Sequence, residues 1–149
     1  MKNLDKIIHS RSVFHRMLLW IYVRIENAEL PKAGNIGKNV HFPHGLKGVV
    51  INPNTIIEDN VTIFHQVTCG RGDLYNIFSS IKESTFGGIV LKEGCVLCAG
   101  AKIICNRGVL TVGKNTIVAA GAVLTQSTGD NEIWAGVPAR LIRKHDFSH

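Results

Sequence analysis

Aromatic residues make up only 7% of this 149-residue chain, with two Trp and two Tyr. A sheet built on large aromatic cross-strand pairs is therefore not expected. Long hydrophobic runs are also missing. The most apolar stretch, residues 13–25, is interrupted by Arg16 and Arg24 and is too short to span a bilayer. The first residues lack a basic-then-apolar segment followed by a small-residue cleavage site, so no signal peptide is predicted. Acidic residues are few: 11 Asp and Glu against 17 Lys and Arg leave a net charge of +6. That excess favours an anionic partner, whether a phosphate-bearing molecule, nucleic acid or a membrane surface. The basic residues are scattered and lack interleaved aromatics, which argues against nucleic acid. Only four cysteines occur, at 69, 95, 98 and 105. Cys95 and Cys98 form a C-x-x-C, but the other two supply no second pair at ligand spacing, and no metal site is predicted. All four lie among aliphatic residues and read as small buried or half-buried free thiols, which suit a reducing cytoplasm.

What is present is a 45% hydrophobic content, enough for one folded domain, and 15 glycines. Residues 1–30 differ from the rest. Phe14, Met17, Leu18, Ile21, Tyr22 and Ile25 recur at steps of three and four, which predicts an amphipathic helix ended by Pro31. The plainer reading docks this helix on its own domain or on a neighbouring subunit. The sharper one lays it on a membrane surface, helped by Arg11, Arg16 and Arg24.

From Ile36 onward the period becomes six. Ile51, Ile57 and Ile63 lead the units INPNTI, IEDNVT and IFHQVT; Leu91, Leu97 and Ile103 lead LKEGCV, LCAGAK and IICNRG; Val112, Val118 and Leu124 lead VGKNTI, VAAGAV and LTQSTG. A weaker pair, IGKNVH and FPHGLK, begins at Ile36 and Phe42. This period fits a short strand plus a turn, repeated, with one aliphatic residue per unit pointing into a shared interior and the coils stacking as parallel strands about 4.8 Å apart. Gly, Asn and Asp at the unit corners supply tight-turn geometry. Two slips of three interrupt the pattern, between Phe42 and Ile51 and between Ile103 and Val112. Residues 70–88 carry no such pattern and read as an ejected loop.

The repeats, the segment FPHGLKGVVINPNTIIEDNVTIFHQVTCG, the later LCAGAKI and AAGAVL, and the C-terminal AGVPARLIRK together resemble the hexapeptide-repeat acyltransferases over roughly residues 28–144. The likeness is to the serine acetyltransferase-like branch, which includes capsule and exopolysaccharide O-acetyltransferases. It implies an all-β domain over 31–149, a left-handed parallel β-helix with eighteen-residue coils of three faces, preceded by the N-terminal helix and followed by a C-terminal tail. It also implies a homotrimer with active sites between adjacent subunits, acetyl-CoA lying along the groove, and a cytoplasmic enzyme, with the inner face of the membrane as an alternative setting.

An acetyl thioester is already activated, so transfer to a hydroxyl chiefly needs a base at the hydroxyl proton and donors for the oxyanion. Histidine, with an unperturbed pKa of about 6.5, suits that role. His9 and His15 fall on the predicted helix, and His145 and His149 at an end read as frayed, which leaves His41, His44 and His65. The resemblance places the family's catalytic base at His44. His65 is the third residue of its unit, as His44 is of its own, and lies 21 residues later, one coil plus the slip of three. If a turn absorbs the slip, the two imidazoles stack on one face and discourage each other's protonation. His65 is thus a second candidate site group, against the plainer reading of a polar groove residue; relatives often carry Gln there.

The serine enzymes carry Asp immediately before the catalytic His, where this chain has Pro43, and a second active-site His where it has Gly88. Glu29 matches an acidic position of the family and would orient an imidazole or bind an acceptor hydroxyl; the plainer alternative is a solvated charge. These departures shift the expected acceptor from serine to a hydroxyl of a surface-polysaccharide sugar or its precursor, with serine O-acetylation as the alternative and a non-catalytic or metal-binding β-helix as a third reading. By resemblance Gly70, Ala99, Gly100, Ala120 and Gly121 line the groove for the pantetheine arm, and Arg140, Arg143 and Lys144 meet the phosphates of CoA. The plainer readings are repeat packing and a solubilising basic tail.

Overall fold

The computed structural model describes residues 4–73 and 85–145. Twelve strands are defined there, arranged as three sheets around one interior and parallel except for one terminal pair, the left-handed parallel β-helix that the resemblance implies. The strands are β1 (Val50–Ile51), β2 (Thr55–Ile57), β3 (Thr62–Ile63), β4 (Thr68–Arg71), β5 (Phe86–Leu91), β6 (Val96–Leu97), β7 (Lys102–Cys105), β8 (Gly108–Val112), β9 (Ile117–Val118), β10 (Val123–Leu124), β11 (Glu132–Gly136) and β12 (Ala139–Lys144). Strands β1, β4, β7 and β10 stack in one sheet, β2, β5 and β8 in the second, and β3, β6, β9, β11 and β12 in the third. The unit-leading residues fill the interior: Ile51, Ile63, Leu91, Leu97, Ile103, Val112, Val118 and Leu124 are fully buried, and Ile57 nearly so. Each strand is only two to six residues long, so stability comes from stacking coils rather than from any one strand.

The register shows how the slips are absorbed. Val50 pairs with Thr68, eighteen positions on. The isolated bridges Glu29–Val50, Ile36–Ile57 and His41–Thr62 span 21, as do Val96–Ile117 and Lys102–Val123. Both slips of three therefore leave the strands in register and bulge at a corner. The ejected loop is narrower than 70–88. Gly70 and Arg71 belong to β4, and residues 86–88 to β5, because their amides and carbonyls pair with neighbouring coils. Residues 74–84 of that expected loop lie outside the described residues.

Two further expectations change. The AGVPARLIRK segment is not a loose tail. It turns at the cis Val137–Pro138 bond and returns as β12, antiparallel to β11. His145 is not frayed: its amide donates to the carbonyl of Asn131 and its Nε2 contacts that of Asn115. At the other end a short helix α1 (Leu4–Ile8) precedes α2 (Val13–Ile25). The periodic stripe of α2 does not face the chain's own core as a whole. Leu19, Tyr22 and Val23 pack on it, while Phe14, Met17, Leu18, Ile21 and Ile25 are 38–71% exposed. No described helix is long and apolar enough to cross a membrane.

Candidate active site

One corner of the β-helix collects the chemistry. Here the chain passes from the β3/β6/β9 sheet to the β4/β7/β10 sheet. The amides of Gln66, Gly100 and Gly121 donate in turn to the carbonyls of Lys47, His65 and Ala99, so Lys47, His65, Ala99 and Ala120 form one column. The next residue of each coil, Gly48, Gln66, Gly100 and Gly121, has φ between 59° and 70°, the left-handed turn that a tight corner requires. Gln66 adopts it despite its side chain.

His44 joins this column from outside the regular repeat. The three-residue slip falls between Phe42 and Val49, where Gly45 donates to the carbonyl of Phe42 and Val49 to that of Leu46. Phe42, Leu46 and Val49 are 4%, 0% and 0% exposed, so the bulge is anchored from within. Helix α2 clamps it from outside. The Gly48 amide donates to the Glu26 carbonyl at 2.8 Å, and a Cβ on Gly45 would stand 2.8 Å from the Tyr22 hydroxyl oxygen. The bulge carries His44 out to the exposed surface and up to the half-buried His65. Their Nδ1 atoms are 2.8 Å apart and their ring centroids 4.8 Å, about one strand spacing. Phe64 meets the His44 ring edge-on at 5.4 Å.

Above the pair the corner is lined only by small residues. Nothing lies within 4 Å of where a Cβ on Gly121 would sit. Ala99, Gly100, Ala120 and Gly121 thus share one open track with the two imidazoles. Gly70 does not: it lies within β4, beyond the corner, beside the Ile104 side chain. Arg140, Arg143 and Lys144 are exposed on β12 at the far end of the stack, and Lys144 Nζ lies 3.7 Å from a carboxylate oxygen of the buried Glu132. Glu29 is held by its backbone against Val49 and Ile51, and its side chain makes no hydrogen bond or ion pair among the described residues. The acid that reaches the bulge is Glu26, which sequence reasoning missed. Its position at the end of α2 would have been a signal only if the docking direction of the helix were known. A buried Glu26 Oε2 has no hydrogen-bond partner. His41 sits a strand away, bridging Thr62.

Other groups do not compete for this role. Cys69, Cys95 and Cys105 are buried and Cys98 is partly so; all are free. Burial pushes the Cys69 thiol up to about 12 and also raises Cys95 and Cys98, so these three are not ready nucleophiles at neutral pH. Among the described residues no three His, Cys, Asp or Glu side chains converge on a point. An apolar hollow of about 470 Å³ lies between α1 and α2, lined by residues such as Leu4, Ile7, Leu18 and Ile25. It holds no charged group and is separate from the imidazole pair.

Comparison with known proteins agrees with the fold. No family model matches the chain. A serine acetyltransferase of Salmonella typhimurium is 32% identical over 116 residues, 78% of this chain and 38% of that protein. One from Bacillus pumilus is 29% identical over 137 residues, 87% of this chain and 58% of that protein. Among solved structures, serine acetyltransferase from Brucella abortus in complex with coenzyme A matches with a TM-score of 0.69 at 30% identity, covering 89% of this chain and 48% of that one. The chain thus spans 38–58% of the length of these relatives.

Proposed function

We propose that this chain, a relative of the hexapeptide-repeat acyltransferases, is an O-acetyltransferase that uses acetyl-CoA as donor and His44 as general base. The observation that carries the reading is an exposed imidazole held against a second one at the foot of a track of small residues. The acceptor hydroxyl oxygen attacks the thioester carbonyl as His44 takes the hydroxyl proton; the C–S bond then breaks and the proton passes to the departing sulfur. The pantetheine arm fits along Ala99, Gly100, Ala120 and Gly121, where side chains would otherwise block close approach. Arg140 and Arg143 are the cations nearest to free for the phosphates, while Lys144 already faces Glu132.

The names of the relatives make serine the first acceptor to test, ahead of the carbohydrate hydroxyl expected from the sequence. The carbohydrate hydroxyl stays as second reading because Pro43 and Gly88 replace an acid and an imidazole expected of serine enzymes. A homotrimer is part of the proposal: on a single chain the His44 corner is an open surface, and a neighbouring copy would supply the second wall of the groove. Sedimentation of the purified protein tests that assembly. The decisive assay follows thiol release from acetyl-CoA in the presence of serine or of a panel of sugars. Serine-dependent release supports the first acceptor and sugar-dependent release the second. Release no faster than thioester hydrolysis with every alcohol would sink the enzyme reading.

A further inference from the structure

The 2.8 Å contact between the Nδ1 atoms of His44 and His65 requires one proton between them. Two bare nitrogens, or two N–H groups, would repel at that distance. In a pair of neutral rings the donor keeps its proton on Nδ1, so its Nε2 is bare; the acceptor ring then carries its proton on Nε2. The pair thus always presents one bare Nε2 and one Nε2–H.

We propose that His65 is a positioning residue: its Nδ1 accepts the Nδ1–H of His44 and so leaves Nε2 of His44 bare as the base. The kinetic part of this proposal rests on the O-acetyltransferase reading. The opposite arrangement would cap His44 Nε2 with a proton and deny it the base role. The proposed one also strengthens as the reaction proceeds. Once His44 has taken the hydroxyl proton it is an imidazolium, and its Nδ1–H bond to neutral His65 becomes charge-assisted. In other catalysts of this logic a carboxylate holds the far nitrogen of the base. Here no described carboxylate is hydrogen-bonded to either ring. The charged or titratable groups around the pair are Lys47 on the bulge, Lys102 of β7, whose Nζ donates to the Gln66 carbonyl, and Tyr22 and Glu26 of α2, which face Gly45. Glu26 Oε2 has no partner and does not reach an imidazole. His65 therefore stands where an orienting acid would.

Two substitutions separate this role from simple packing. His65→Gln keeps an oxygen able to accept the Nδ1–H, whereas His65→Leu keeps bulk and removes the acceptor. With His residues ¹⁵N-labelled and signals assigned from single His→Gln variants, neutral His44 should show a protonated Nδ1 and a bare Nε2. That signature should persist in His65→Gln and invert in His65→Leu. In thiol-release assays His65→Leu should lower kcat by about 10- to 100-fold with KM for acetyl-CoA unchanged, and His65→Gln should restore most of it. A proton on Nε2 of neutral His44 in the parent, or a His44 signature unaltered by His65→Leu, would overturn the proposal. If the parent shows the expected signature but acetylates no alcohol, the functional reading fails while the assignment of the shared proton stands.

Discussion

Two bulges of equal length interrupt the coils, and only one presents candidate chemistry. The first, between Phe42 and Val49, is nailed down by buried Phe42, Leu46 and Val49 on its inner side and by the end of α2 on its outer side. The second, Asn106, Arg107 and Gly108, runs from the end of β7 into the first residue of β8; all three are exposed, and a Cβ on Gly108 would meet nothing within 4 Å. This bulge is tied by the Gly108 amide to the Thr85 carbonyl, by the Thr85 hydroxyl to the Asn106 carbonyl, and weakly by the Cys105 thiol to the carbonyls of Arg107 and Gly108. Both bulges preserve the 21-residue register. A slip in a repeat therefore says that a segment projects; both bulges have buried flanks, and a buried anchor within the projecting segment, Leu46 in the first and none in the second, decides whether the projecting side chain is held well enough to act.

The sharpest way to break that contrast is to substitute the side chain at each tip. His44→Ala should lower turnover by roughly 10²–10⁴-fold with CoA binding nearly intact. Arg107→Ala should leave turnover within about twofold of the parent, as surface changes away from a site usually do. Thiol release with saturating acetyl-CoA measures both. Comparable losses from the two variants would show that the second bulge also belongs to the site.

The anchoring itself is tested by stability. Leu46 is fully buried under the first bulge, and Leu46→Ala should cost about 2–5 kcal/mol through lost contacts and a residual cavity. Val109, 54% exposed beside the second bulge, should tolerate alanine within about 0.5 kcal/mol. Urea midpoints give both values. A small cost at Leu46 would mean that the first bulge can relax as freely as the second.

Much of this is legible in the sequence. The period of six named the interior residues, because in a stacked coil burial depends only on position within the unit. The same arithmetic brought His65 to His44, since one coil plus the slip of three equals their separation. Arithmetic failed where a contact depends on docking between unlike elements. Glu26, not Glu29, meets the bulge because α2 lies across it, and no repeat encodes the pitch of that helix. The stripe of Phe14, Met17 and Ile25 had the right period for a helix, but periodicity does not say which neighbour a face meets. AGVPARLIRK looked like a tail because it breaks the period; its antiparallel return as β12 follows from pairing with β11, which period alone cannot show.

Glycine geometry sharpens the contrast further. Gly45 has a φ of 76°, and an added Cβ would crowd the Tyr22 hydroxyl at 2.8 Å. Gly45→Ala should shift the His44 backbone and lower turnover by about tenfold, since small misplacements of a reacting group are costly. Adding Tyr22→Phe, which removes that oxygen, should recover part of the loss. Gly108 has a φ of 60°, but a Cβ there would meet nothing within 4 Å, so Gly108→Ala carries backbone strain of about 1 kcal/mol and no kinetic effect. Equal kinetic effects at the two glycines would remove the distinction between clamped and free.

The smallest expected effect concerns the dry interior that anchors the first bulge. Cys69, in register with Ile51, is buried and its thiol is pushed from an ordinary 9.0 up to about 12. The folded state therefore keeps this proton at pH values where the unfolded chain has lost it. Its contribution to stability is fully present below about pH 9 and is lost as pH rises toward 12. At pH 10 the loss should be on the order of 1 kcal/mol for one such thiol. Other groups also titrate in that range, so the useful quantity is the difference between the parent and Cys69→Ala, measured by urea unfolding at pH 7 and pH 10. The alanine variant should start less stable and lose less on going to pH 10. Equal losses in the two proteins would mean that water reaches Cys69, and that the interior beneath the anchored bulge is no drier than the surface around the free one.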